Sequence, residues 1–281
     1  MARFHNNTAV NYDGGLDGGL DGVGQFNYLF KAFEQSEDEL VVSKLNQSLK
    51  EQCGAEFNLQ FFVGNQLQEL SDEIIQSLAK CYAQVFNESW GESWTIESAT
   101  TEIKNCINCE EQYLPLMSLL FREGEVVGFS WGFVLEKDSL NLESKPFSSS
   151  ELQRHDCIKV ASYWLDEVAK KQKLISIREL GVLKDYRHDK TPYLCLPIFE
   201  KAKSLDCMVG FLRTKISSKA FKWSLGIGLV PIQFFMKDDL LLMHGSIRYA
   251  TEIFNGLIDR LSKKKNQRKV ICNIKRYLCQ Y

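Results

Sequence analysis

Apolar residues recur along this chain at two spacings, helical and alternating, and the order in which the spacings change predicts a mixed α/β protein. Residues 26–52 carry Phe26, Leu29, Phe30, Phe33, Leu40, Val41 and Leu45, which predicts one or two helices ahead of the main domain. Phe57–Val63 reads as a short aromatic-rich strand. Ser71 is a hydroxyl N-cap followed by Asp72 and Glu73, and Ile74, Ile75, Leu78, Ala79, Tyr82, Val85 and Phe86 then share one helical face. A second helix is expected over Thr95–Cys109. Leu116–Phe121 and Val126–Leu135 flank the polar connection Arg122-Glu-Gly-Glu125, which predicts an antiparallel hairpin. After a polar, turn-rich stretch from Lys137 to Ser150, helical spacing returns at Ile158, Ala161, Trp164, Leu165 and Val168. A strand over Leu174–Leu183, a helix ending near Leu205, a strand over Met208–Arg213 and a short helix over Ser217–Leu225 follow. Apolar segments at Gln233–Met236 and Leu240–His244 precede an amphipathic helix over residues 247–262.

Composition adds size and charge to this pattern. The chain has 281 residues, 44% hydrophobic and 25% charged, so it can bury a sizeable core as one large domain with extensions. The formal charge of -2 conceals a split. Lys263, Lys264, Lys265, Arg268, Lys269, Lys275 and Arg276 lie in residues 261–281 with no acidic residue, leaving residues 1–260 at net -9. An acidic body therefore ends in a basic tail, a dock for an acidic acyl carrier protein, a nucleic acid or an anionic membrane surface, or simply a solvated terminus. No nucleic-acid motif accompanies the tail, which argues against a nucleic-acid partner. The Asp/Gly repeats between Asp13 and Gly24 read as a flexible acidic leader over 1–25. Nine cysteines at irregular spacing, with no secretory leader expected, point to reduced thiols and a cytoplasmic location. No apolar run reaches bilayer-spanning length.

The element order, together with Glu179-Leu-Gly-Val-Leu-Lys-Asp-Tyr-Arg187 running into a helix, resembles the GNAT superfamily of CoA-dependent N-acyltransferases over roughly 57–246, with 137–172 as an insertion. The resemblance implies a mixed, mostly antiparallel twisted sheet flanked by helices, here with N-terminal (26–56) and C-terminal (247–281) helical extensions. It also implies an acetyl-CoA or longer acyl-CoA co-substrate and an amine-bearing small molecule, peptide or protein as acceptor. The donor site would comprise Leu180, Gly181, Val182 and Leu183 on the strand and Arg187, His188, Asp189, Lys190 and Thr191 at the turn. A helix N-terminus suits phosphate because it offers unpaired N–H groups and a positive dipole end. Glu179 is the candidate base that would take the proton of the attacking ammonium.

Two landmarks depart from the family pattern. Lys190 and Pro192 stand where the family's turn has glycines, and Lys222 and Ile227 replace the usual tyrosine and phenylalanine of the later helix. These departures keep open a GNAT-like binding module without catalysis, or an acyl-carrier-protein donor. Gly181 is expected to leave room for close approach of the donor arm. Cys106-Ile-Asn-Cys109 with His155 and Cys157 has zinc-like spacing, but no second close pair supports it, and no metal is expected. Cys195 reads as a buried helical thiol and His244 as a structural histidine. Trp90, Trp94, Trp131, Tyr163 and Trp164 would either fill an enlarged core or line an apolar acyl site.

Overall fold

The computed structural model describes residues 22–109, 113–135, 173–187, 189–235 and 240–278. The leader up to residue 21, the insertion at 137–172 and His188 lie outside these. The chain divides into two compact units, Met1–Glu37 and Asp38–Tyr281.

The second unit is built on a seven-stranded sheet of order β1-β2-β3-β4-β5-β7-β6. The strands are β1 (Phe57–Val63), β2 (Leu114–Arg122), β3 (Glu125–Leu135), β4 (Leu174–Val182), β5 (Val209–Lys215), β6 (Val230–Phe235) and β7 (Leu240–Ser246). Every neighbouring pair is antiparallel except β4 and β5, which are parallel. The helices are α1 (Gly22–Cys53), α2 (Asp72–Trp90), α3 (Ile96–Ile107), α4 (Thr191–Ser204), α5 (Lys219–Gly226) and α6 (Ile247–Leu278). This is the mixed, mostly antiparallel, helix-flanked sheet that the resemblance implies.

Local chemistry accounts for the element ends. Ser71 Oγ accepts from the Ile74 N–H, so the expected N-cap operates, and Thr95 Oγ1 caps the next helix by accepting from the Ser98 N–H. The β2–β3 hairpin turns through Glu123 and Gly124, whose φ angles of 52° and 88° match the twist of the flanking strands. The clearest departure from the sequence pattern is α6. Its backbone remains helical to Leu278, through the stretch read as a tail, because Lys, Arg and Gln are good helix formers and no glycine or proline interrupts them. Side chains of the tail beyond Lys263 lie outside the described residues.

Each sheet face buries its own core. On one, α2 and α3 set Leu78, Tyr82, Phe86, Ala99 and Ile103 against Met117, Phe129, Trp131 and Phe211. On the other, α4 and α6 set Leu194, Phe199 and Phe254 against Leu120, Ile175, Ile177 and Met243. Fully burying side chains of this size stabilises by about 1.5–3 kcal/mol each, so the sheet is fixed between two apolar layers.

The part of α1 that belongs to the second unit closes the free edge of β1. Asn46 Nδ2 donates to the Leu59 carbonyl at 2.8 Å, and Asn46 Oδ1 accepts from the Leu59 N–H at 2.6 Å. One side-chain amide thus stands in for a missing strand partner. Ser48 and the Tyr193 hydroxyl lie 3.0 Å apart, and the buried Lys201 ammonium pairs with Asp38 at 2.9 Å, which joins α1 to α4. Replacing Asn46 with alanine leaves the Leu59 groups to water or to another strand, so the urea midpoint should fall by the equivalent of about 1–2 kcal/mol. An unchanged midpoint would show that the amide does not hold this edge.

Candidate acyl-donor cleft

The site arises where β4 and β5 part. Their ladder runs from Leu174↔Val209 to Ile177↔Leu212, and beyond it β4 continues to Val182 and β5 to Lys215 outside that ladder. On its other edge β4 stays paired with β3, but the register shifts between Trp131↔Glu179 and Gly132↔Ile177, leaving Arg178 as the extra residue of a bulge. A bulge re-aims the side chains around it. Both Arg178 and Glu179 act electrostatically on Tyr82 of α2 and Cys106 of α3, which places them on the α2/α3 face.

Glu179 is half-buried there, opposite the buried Trp131. Its carboxyl is pushed up to about 7, chiefly by burial; Arg178 and Arg213 oppose the rise, and Glu102 and Glu92 add to it. A carboxylate that titrates near neutrality suits general-base work. Beneath it Tyr82, Phe129 and Trp131 stack with ring separations of 5.2–5.5 Å. These rings are fully buried and form core, whereas Trp90 and Trp94 are half-buried at the rim. Tyr163 and Trp164 lie outside the described residues.

The four strand residues of the expected donor site play unequal parts. The Leu183 N–H donates to the Val127 carbonyl at 2.9 Å, and antiparallel alternation then turns the backbone groups of Gly181 toward β3 and those of Leu180 and Val182 toward β5. The Val182 carbonyl is taken by Arg187 Nε at 2.9 Å. Leu180 is left presenting both an N–H and a carbonyl to the open edge. The space beside Gly181 is filled from within, contrary to the expectation that it admits the donor. A Cβ there would stand 2.5 Å from Phe129 Cζ and 2.9 Å from Val85 Cγ1, so the glycine serves the packing of α2 on β3.

At the turn, Arg187 is a tie rather than a free cation. Besides the Val182 carbonyl, it reaches Ser89 at the end of α2 through Nη2 at 2.6 Å. Lys190 precedes α4 and lies with Nζ 4.8 Å from the Phe57 ring. No side chain caps α4; the Tyr193 and Leu194 N–H groups donate to the Lys190 carbonyl, and Pro192 has none to give. An anion at this helix end would meet the Thr191 N–H and the dipole rather than a glycine-rich nest. Asp189 is exposed, and its N–H donates to the Arg187 carbonyl at 3.2 Å. Lys215 Nζ sits 4.9 Å from the Trp90 ring, so α2 is linked to the far strand of the opening as well. Lys222, at the family's tyrosine position, is exposed on α5.

The remaining candidates fall elsewhere. Cys195 is fully buried in α4 and its thiol is pushed up by burial. Cys106 is also buried and raised, while His155 and Cys157 lie outside the described residues. His244 is half-buried on β7, where burial lowers its imidazole. Sequence reasoning missed the bulge at Arg178 and the Arg187–Ser89 tie. The first changes register without changing composition, and the second joins residues far apart in the chain.

No family model matches this chain, and no curated protein matches it in sequence. Among solved structures it is similar to the ribosomal-protein-S18-alanine N-acetyltransferase of Escherichia coli, with 12% identity, 67% of this chain and 94% of that chain covered, and a TM-score of 0.39. It is also similar to the PaiA N-acetyltransferase of Thermoplasma acidophilum in complex with coenzyme A, with 11% identity, 66% and 99% covered, and a TM-score of 0.41. A third is NAA60 of Arabidopsis thaliana in complex with a bisubstrate analogue, with 10% identity, 67% and 97% covered, and a TM-score of 0.42. No helix among the described residues is long and apolar enough to cross a membrane.

Glu179 supplies a stability test. Its folded-state pKa lies above the ordinary value of 4.5, so its neutral form favours the fold at low pH and that contribution is lost as pH rises through about 7. Glu179→Gln should therefore gain stability over the parent progressively up to about pH 8. A difference in melting temperature that is constant with pH would place the Glu179 titration elsewhere. By element order and sheet topology, the chain has the mixed, mostly antiparallel sheet flanked by helices that the resemblance implies.

Proposed function

We propose that this protein is an N-acyltransferase that moves an acetyl or longer acyl group from a CoA thioester to an amine by direct attack. The observation that carries this reading is the unzipped β4–β5 edge, with the bulge setting Glu179 on the α2/α3 face and Leu180 offering backbone groups beside it. The pantetheine arm would pair with Leu180 as a short added strand, and its phosphates would meet the Thr191 end of α4. Asp189 and Lys190 border that anion seat, with Arg187 holding the turn in place.

The acceptor amine would approach from the α2/α3 face. Glu179, ionised above about pH 7, takes the ammonium proton directly or through one water. The free amine attacks the thioester carbonyl, the C–S bond breaks, and the second proton lost from the nitrogen as the amide forms passes through solvent to the departing thiolate. By sequence position, the exposed Lys222 stands where the resemblance would put the tyrosine that protonates that thiolate. The acceptor would be a small molecule, a peptide or a protein. The reaction fits a cytoplasmic location, and an acidic acyl-carrier donor docked at the basic tail is the variant reading.

Two measurements test the proposal. Titration with acetyl-CoA and longer acyl-CoAs in a calorimeter should give saturable heat, with chain-length preference naming the donor; no heat with any of them would leave a binding module as the function. With a working donor–amine pair, the pH–rate profile should have an acid limb near 7 that Glu179→Gln abolishes together with a loss of roughly 10²-fold or more in kcat. Unchanged turnover in that variant, with donor binding intact, would remove Glu179 as the base.

A further inference from the structure

The turn between β4 and α4 lacks the glycines that would shape it from within, and side chains from distant strands surround it instead. Arg122, the last residue of β2, donates from Nη1 to the Tyr186 hydroxyl at 2.7 Å. Its guanidinium lies 5.2 Å from the Tyr186 ring centroid and 5.9 Å from that of Phe57. Phe57 and Tyr186 meet edge to face at 5.9 Å and 74°, and Lys190 rests against Phe57. Phe57 is itself buried and pairs in register with Arg122, so this end of the β1–β2 ladder is a firm base.

We propose that Arg122 and Tyr186 form a latch that positions the donor turn, doing through side chains what glycines do through backbone conformation elsewhere. The inference rests on the acyltransferase reading of the cleft, because the ligand being positioned for is the CoA thioester. Tyr186 occupies the middle of the turn: its N–H donates to the Leu183 carbonyl at 2.9 Å, and its hydroxyl is held from β2. The next residue, Arg187, is held from the opposite sheet face by Ser89. The turn is thereby gripped from both sides, which fixes where Val182 ends and where α4 begins. Arg122 and Tyr186 are positioning residues, acting through the turn they hold.

A guanidinium–hydroxyl bond together with ring contacts is a two-partner device, so cutting either partner removes the same interaction and cutting both adds little. The test uses the full chain and the variants Arg122→Met, Tyr186→Phe, their double, and Arg122→Lys. In the free protein, hydrogen exchange of the segment 183–194 should speed up to the same extent in both single variants and the double. With acyl-CoA as the varied substrate, KM should rise by about three- to tenfold while kcat stays within about twofold, and Arg122→Lys should recover part of the loss. Unchanged exchange in the segment overturns the latch, as does faster exchange with KM unaltered, or effects of the two single variants that multiply in the double. A parent protein that neither binds nor turns over any acyl-CoA overturns the acyltransferase reading and the donor-positioning role with it, while the exchange data still decide whether Arg122 and Tyr186 hold the turn.

Discussion

Everything proposed for this protein depends on one interruption in hydrogen bonding. The parallel pair among the described strands, β4 with β5, stays zipped through Ile177↔Leu212 and then opens. Backbone groups left unpaired in a protein interior are costly, so an opening of this kind persists only where water or a ligand can reach the strand edge. On the other side of β4 the bulge at Arg178 resets which residues face which layer. Without the bulge, strict alternation from Ile177 would put Glu179 on the α4 face, among the apolar side chains of that core. The same irregularity thus sets the candidate base and exposes Leu180 beside it.

The walls of the opening are stiff for reasons unrelated to chemistry at the site. On one face the stack of Tyr82, Phe129 and Trp131 fills the layer beneath α2, and the absence of a side chain at Gly181 allows the fit. On the other, α4 is anchored by apolar contacts and by the Lys201–Asp38 and Ser48–Tyr193 links to α1. Between them the donor turn has basic residues that are largely spent on internal contacts, Arg187 on Val182 and Ser89 and Lys190 on Phe57. Phosphate binding at this turn would draw on the helix end more than on free cations, an arrangement that tolerates proline at position 192.

Much of the fold could be read from spacing. The strands Phe57–Val63 and Leu174–Val182 and the helix capped by Ser71 have strong local signals, since apolar alternation and a hydroxyl cap act within a few residues. The length of α6 was not legible, because a run of charge reads as a solvated tail although Lys and Arg favour helix. Of the candidate site, the position of Glu179 on a strand and of the turn between that strand and a helix were legible, while their chemical roles belong to the proposal. The filling of the Gly181 space, the Asn46 bracket on Leu59, the Arg178 bulge and the Arg122–Tyr186 bond were not. Each depends on partners brought together by the finished sheet, and single residues such as these carry no periodic signal.

The most direct check on the central claim is residue-resolved amide protection in β4, measured by NMR with and without saturating acyl-CoA. The account predicts that the Leu180 N–H, which faces the open edge, becomes protected when donor is added. The Gly181 N–H, which points to β3, should change little. Binding of acyl-CoA with no change at Leu180 would contradict the account, because the donor would then lie away from the opening between β4 and β5.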